Sequence, residues 1–200
     1  MLDLDPRRSA LLVMDFQATI VQNYALDWES LLARTSSMLA AARAAGMAVI
    51  YVGVGFRPGF PEVSPNNKSF SAIKQSDRFK PADFAEPEKS FHESVAPLPG
   101  DIIVVKHRVS AFFGTDLDMI LRAKSIDTLV LSGIATSGVV LSTLRHAADG
   151  DYRCVVVEDG CADLDPEVHA VLCGKVFARQ ATVVKAVDVT EALAQPALSS

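Results

Sequence analysis

Six short runs of Val, Ile, Leu and Ala constrain this chain more than any other feature. They lie at residues 10–15, 47–53, 102–106, 128–133, 153–158 and 182–187, each followed by turn chemistry. Most are continuously apolar rather than alternating. A strand with one wet face alternates, whereas a strand buried on both faces does not, as in a parallel sheet covered by helices on either side. The intervening segments supply such helices. Residues 28–45 place Leu31, Leu32, Thr35, Met38, Leu39 and Ala42 on one stripe, and Gly46 is a C-terminal stop. Residues 116–124 follow Thr115, which with Asp118 has the spacing of a capping box. Residues 137–149 carry Val140, Leu144 and Ala147 on one face, Pro166 opens a helix behind the cap Asp165, and 189–194 form a short last helix. Strands alternating with helices predict a three-layer α/β/α sandwich with a six-stranded parallel sheet. A length of 200 residues suits one domain over 1–200.

The stretch 56–100 breaks this rhythm. It holds Pro58, Pro61, Pro65, Pro81, Pro87, Pro97 and Pro99 and few periodic apolar runs. It predicts a long loop, used either as a lid or binding loop or as a surface excursion for dimer contacts. Residues 195–200 read as a frayed tail.

Composition excludes several classes. Lys and Arg total 19 against 24 Asp and Glu, a formal charge of −5 without a basic block, which disfavours nucleic acid as a partner. No apolar run approaches the roughly 20 residues of a membrane span, and the N-terminus lacks a signal-peptide pattern. The three cysteines, Cys154, Cys161 and Cys173, form no C-x-x-C. An odd count without a signal fits reduced thiols in the cytoplasm. The expectation is a soluble, cytoplasmic protein that engages neither nucleic acid nor membrane.

In an open parallel sheet, ligands bind beyond the carboxyl ends of the strands. Asp15 ends the first run, followed by Phe16 and Gln17; Lys106 ends the third; Gly133-Ile134-Ala135-Thr136-Ser137-Gly138 ends the fourth and leads straight into a helix. A carboxylate, an ammonium and a helix N-terminus thus share one edge. An Asp–Lys pair in a half-dry cleft can hold and move a proton, and a helix N-terminus offers N–H groups to an anion or oxyanion. An isolated Asp at a strand end is ordinarily a turn residue and an isolated Lys a rim charge; the shared edge raises both. Common motifs fail. Gly53-Val54-Gly55 has Pro58 where a dinucleotide fingerprint needs glycine. Ser137 is flanked two residues away by Ala135 and Val139, where a serine-hydrolase elbow needs glycines. His92, His107, His146 and His169 contain no i, i+4 pair for zinc.

These segments resemble the isochorismatase-like hydrolase superfamily, which includes cysteine amidases such as nicotinamidase. Ala10-Leu11-Leu12-Val13-Met14-Asp15-Phe16-Gln17 resembles the strand that carries the catalytic aspartate. Val104-Val105-Lys106 with Ser110-Ala111-Phe112 resembles the catalytic-lysine segment. Gly133-Ile134-Ala135-Thr136 with Ser142-Thr143 resembles the nucleophile segment, and Glu158-Asp159-Gly160-Cys161-Ala162 the end of the fifth strand. The resemblance covers nearly the whole chain. It implies the isochorismatase-like, Rossmann-like form of the sandwich, a homodimer or homotetramer, a non-proline cis peptide near Ile134–Ala135, and Asp15 and Lys106 as catalytic residues. Gln17, Phe16, Phe56, Arg57, Phe112, Ile134, Ala135 and Gly138 are the expected substrate-binding residues.

The same resemblance puts the nucleophilic cysteine at Val139, and valine has no nucleophile to offer. Cys161 near the same edge is either a substitute or a small packing residue; Cys154 and Cys173 read as packing. The Asp-x-His metal site of nicotinamidases has no counterpart in Gly55-Phe56-Arg57-Pro58-Gly59-Phe60, so neither metal nor other cofactor is expected. Two readings follow. One is a hydrolase acting on a small polar or carboxylated molecule without a thiol, with Asp15 as general acid/base beside Lys106. The other is a catalytically inactive member that binds a small molecule or serves an oligomer.

Overall fold

The computed structural model describes residues 2–76 and 79–194; the expected tail at 195–200 lies outside them. Six strands, β1 (Ser9–Met14), β2 (Ala48–Val54), β3 (Ile102–Lys106), β4 (Thr128–Ile134), β5 (Arg153–Ala162) and β6 (Thr182–Val184), form one sheet in the order β3-β2-β1-β4-β5-β6. Every pairing is parallel. The strand order reverses between β1 and β4, where such sheets open a crevice.

The uninterrupted apolar runs are explained by burial on both faces. All six residues of β1 are buried. Leu11 and Val13 join one core cluster, while Ala10, Leu12 and Met14 join the other. Each fully buried Leu or Val contributes about 1.5–3 kcal/mol of transfer free energy. On the first face pack α1 (Ala18–Tyr24), α2 (Trp28–Ala44), α3 (Lys68–Gln75) and α7 (Ala186–Ala194), through Ile20, Leu31, Leu39, Phe70 and Val189. On the second face pack α4 (Leu117–Ala123) and α5 (Leu141–Asp149), through Leu117, Leu121 and Leu144. The short α6 (Pro166–Val171) buries no residue of its own. Among the described residues no helix is long and apolar enough to cross a membrane.

The stripe expected on α2 is buried at all six positions. Gly46 ends that helix at φ +70°. Asp165 caps α6 by accepting from the Glu167 and Val168 amides.

Four expectations need correction. Thr115 and Asp118 do not close a capping box: the Thr115 hydroxyl donates to Ala111 O, and the Asp118 carboxylate takes Arg122 and the Tyr152 hydroxyl instead. The run at 182–187 is a strand only to Val184, because Ala186 already begins α7. The helix expected at 137–149 starts as an irregular turn over Thr136–Val140, broken at Gly138 (φ −97°, ψ −105°), before regular α5. The stretch 56–100 contains α3 and three single turns, at Pro81–Phe84, Pro87–Lys89 and Glu93–Val95. Two of its seven prolines, Pro81 and Pro87, sit at the starts of such turns, where a missing N–H costs nothing.

Candidate active site

Asp15 follows β1 at φ +60°. That left-handed conformation is open to Asp and Asn but strained for most side chains. Its amide donates to Val52 O at 2.7 Å, which fixes the turn against β2. Lys106 ends β3, on the far side of β2, and crosses it to reach the same carboxylate. Lys106 Nζ stands 2.9 Å from Asp15 Oδ2, with side chains only 3% and 8% exposed. Nζ also donates to Arg108 O at 3.2 Å. Asp15 Oδ1 is buried with no hydrogen-bond partner. Burial raises the Asp15 carboxyl above its ordinary value, and the Lys106 ammonium opposes that rise.

The pair forms one end of a cavity of about 160 Å³. Ile134, Ala135, Gly138 and Val139 supply the wall beside β4, with a cis peptide between Ile134 and Ala135. Ile20 and Tyr24 approach from α1. The remaining cover comes from 56–100, through Phe56, Phe70, Ile73, Phe79 and Phe84. Phe56 is its hub, with ring centroids 5.4 Å from Phe70 and 5.6 Å from Phe84. Phe79 lies 5.6 Å from Phe84 and 6.2 Å from Tyr24. Such aromatic pairs add about 0.5–1.5 kcal/mol each beyond their buried area.

Of the residues expected from sequence, Asp15, Lys106, Phe56, Ile134, Ala135, Gly138 and Val139 meet at this cavity. Four do not line it. Phe16 is fully buried in the core, since successive residues at a strand end face opposite ways. Gln17 is a brace: its amide nitrogen donates to Val54 O and Ser90 Oγ, and its oxygen accepts from Val54 N. Arg57 is exposed and paired with Glu62. Phe112 belongs to the opposite core, stacked on His146 at 4.6 Å.

The helix N-terminus is also differently used. The Ser137 amide donates to Asp163 Oδ2 at 2.7 Å, and the Gly138 and Val140 amides donate to Ala135 O. An acidic side chain of the protein therefore already takes up one of the N–H groups expected to face a ligand. None of the cysteines lines the cavity. Cys161 borders a separate cleft with His169, with its thiol 3.9 Å from Leu131 O, and burial pushes that thiol's pKa up. Among the described residues no three His, Cys, Asp or Glu side chains gather to hold a metal.

Sequence reasoning missed the α1 and α3 walls. One signal was present: six of the ten phenylalanines fall within residues 56–91, too many for a solvated excursion. Together with Ile73, four of them give the described lining an apolar wall opposite the ion pair.

The isochorismatase domain model matches residues 9–188, which spans every strand and both ionic residues of the site. The chain belongs to the isochorismatase family. It is 34% identical over 182 residues to a ureidoacrylate amidohydrolase of Methylobacterium radiotolerans, covering 82% of this chain and 70% of that one. A solved isochorismatase family protein of Burkholderia thailandensis superposes with a TM-score of 0.83 at 30% identity, covering 96% and 98% of the two chains. The N-carbamoylsarcosine amidase of Thermoplasma acidophilum gives a TM-score of 0.71 at 30% identity, covering 90% of this chain and 96% of the other. The family's α/β fold, a six-stranded parallel sheet between helices, is the fold observed here.

Proposed function

We propose that this family member hydrolyses a C–N bond of a small molecule by direct attack of water, without a cysteine nucleophile. The observation that carries the reading is the buried Asp15–Lys106 pair at the end of a cavity lined by Val139 and by no thiol. In the resemblance drawn above, the nucleophile belongs at 139. The C–N bond is favoured because two of the three relatives named above are, by name, a ureidoacrylate amidohydrolase and an N-carbamoylsarcosine amidase.

Asp15 Oδ1, which has no partner, is the atom that takes the proton. Water attacks the carbonyl carbon, Asp15 accepts its proton, and the tetrahedral intermediate forms. The same proton then passes to the leaving nitrogen as the C–N bond breaks. Amide and water become acid and amine, and the carboxylate is regenerated. Burial makes Asp15 a stronger base than an exposed carboxylate, and Lys106 holds it ionised and in place.

The test is ammonia release from a panel of small amides and ureides by the purified protein, run beside Asp15→Asn, with pyruvate release from isochorismate as a separate arm. The expected result is turnover of at least one amide, with kcat reduced by about 10²–10⁴-fold in the variant. Pyruvate release alone would replace C–N cleavage with vinyl-ether cleavage. Inactivity on every compound would favour the second reading, a non-catalytic binder, for which the methyl groups of Val139 at the cavity wall already speak.

A further inference from the structure

We infer that two copies of this chain pair through the outer face of α6, antiparallel about a two-fold axis at Val171. None of the residues of that face lines the Asp15–Lys106 cavity, so the pairing is independent of the activity proposed above.

The helix continues past Val171 through turns at Leu172–Val176 and Phe177–Arg179. Its inner side is committed. Cys173 and Phe177 are buried in the second core cluster, and His169 Nδ1 lies 2.8 Å from Thr136 Oγ1. Its outer side carries Glu167, Val168, Val171, Gly174 and Lys175, all exposed. These stand three and four positions on either side of Val171, which is one face of a helix. Each of the other six helices buries at least one apolar residue, whereas α6 leaves Val171 42% exposed. Leu164, just ahead of the cap, is 40% exposed. Leu26, 71% exposed, borders a cleft with Pro166 and extends the apolar surface at that end.

The order of residues on this face says what covers it. When the face is reversed and laid on itself, each residue meets the partner's residue equally far on the other side of Val171. Glu167 then lies opposite the partner's Lys175, twice by symmetry. Val168 lies opposite the partner's Gly174, where even a Cβ would meet nothing within 4 Å, so the valine methyls have room. Val171 meets its own copy on the axis. The charges also fix the direction. Asp165 and Glu167 stand at the N-terminal end, and Lys175 and Arg179 at the C-terminal end. Among the described residues Glu167, Lys175 and Arg179 form no ion pair. Lys175 and Arg179 repel each other at i, i+4, and the partner's acidic end relieves them. A parallel pairing would set Glu167 against Glu167. A purely acidic or purely basic partner would satisfy one end and oppose the other. The two-fold arrangement closes on itself, as isologous contacts do. One helix pair with its flanks covers less than the ~800 Å² per partner of a standard interface, so the dimer is reversible, in the micromolar range.

Sedimentation velocity on the full chain, from about 1 to about 200 μM, reads this association. Glu167→Lys and Lys175→Glu each place like charges across the pair and are expected to weaken it at least ~10-fold. The double variant Glu167→Lys, Lys175→Glu restores opposite signs and is expected to return within ~3-fold of wild type. All three are checked for native circular dichroism. A second measurement locates the axis. With oxidised glutathione as the oxidant, Val171→Cys is expected to give a disulfide-linked dimer. Lys175→Cys, held far from its own copy, is expected to stay uncrosslinked. If a charge variant does not fold, this pair of cysteine variants decides.

A wild type that stays monomeric throughout would overturn the inference and assign the face to a different partner. So would a dimer indifferent to both single reversals, or one that the double variant fails to restore. Crosslinking of Lys175→Cys as fast as Val171→Cys would overturn the axis.

Discussion

Replacing Lys106 by Met removes the cation that stands 2.9 Å from the buried Asp15 carboxylate. At 2.9 Å and an effective dielectric of about 20, the two charges attract by about 6 kcal/mol. Much of that offsets the cost of burying both charges, so the net loss on removing one partner is about 3–5 kcal/mol. Against a total stability of about 5–15 kcal/mol, such a loss is large but survivable. The variant has one escape, which is to protonate Asp15. Burial already raises that carboxyl and Lys106 is what opposes it, so without Lys106 it rises further. A group raised in the folded state contributes stability that is fully present below its unfolded value, near 3.8, and is lost as pH rises through the folded value. The penalty of Lys106→Met is therefore greatest at neutral pH and shrinks on acidification.

Urea unfolding at about pH 7.5 and about pH 5 reads this directly. The double variant Asp15→Asn, Lys106→Met supplies the control. Asn tolerates the φ of +60° at position 15, and the double variant buries no charge at the site, so it should recover most of the loss. A penalty that stays flat or grows as pH falls would refute the argument. So would strict additivity of the two single variants.

Three further outcomes are expected. Gln17→Leu leaves the buried Val54 amide without its acceptor and should cost about 1–3 kcal/mol in thermal unfolding; a loss under ~0.5 kcal/mol would remove the bracing role. At Gly55, a Cβ would lie 2.7 Å from Pro87 Cγ and 3.0 Å from Val105 Cγ1, so Gly55→Ala should destabilise by about 1–3 kcal/mol, and a neutral effect would contradict the close approach. Burial pushes the Cys154 thiol to about 11 and the Cys173 thiol to about 12, and Cys161 also upward. An aromatic disulfide reagent at about pH 8 should therefore label the native protein slowly and all three thiols at once in denaturant; rapid native labelling of any one would overturn this.

What was legible in the sequence follows a physical rule. β1 could be read because every residue of it is buried, leaving a run without polar interruption. Asp15 and Lys106 could be placed together in advance because parallel strands deliver their carboxyl ends to one edge, which both residues share. Gln17, Phe16 and Phe112 fall near that edge in sequence too, but side-chain direction decides their roles. Phe16 turns into the core, Gln17 binds Val54 and Ser90, and Phe112 stacks against His146 on the other face. Helix α3 was illegible for another reason. Its eight residues span barely two turns and offer a single apolar pair at helical spacing, Phe70 and Ile73, and its cap, Asn67 accepting from the Phe70 amide, is a local detail inside a proline-rich stretch.

The cover and the ion pair form one chemical unit, although the chain builds them from distant segments. Burial raises the Asp15 carboxyl, and the cavity it borders is also lined by Phe56, Phe79 and Phe84, none within 40 positions of it. A wall chosen only for shape could have been polar. An apolar one lowers the local dielectric, which strengthens the attraction of Lys106 for Asp15 and at the same time raises the cost of bringing in any further charge. The raised carboxyl of Asp15 and the strength of its pairing with Lys106 thus have a common origin.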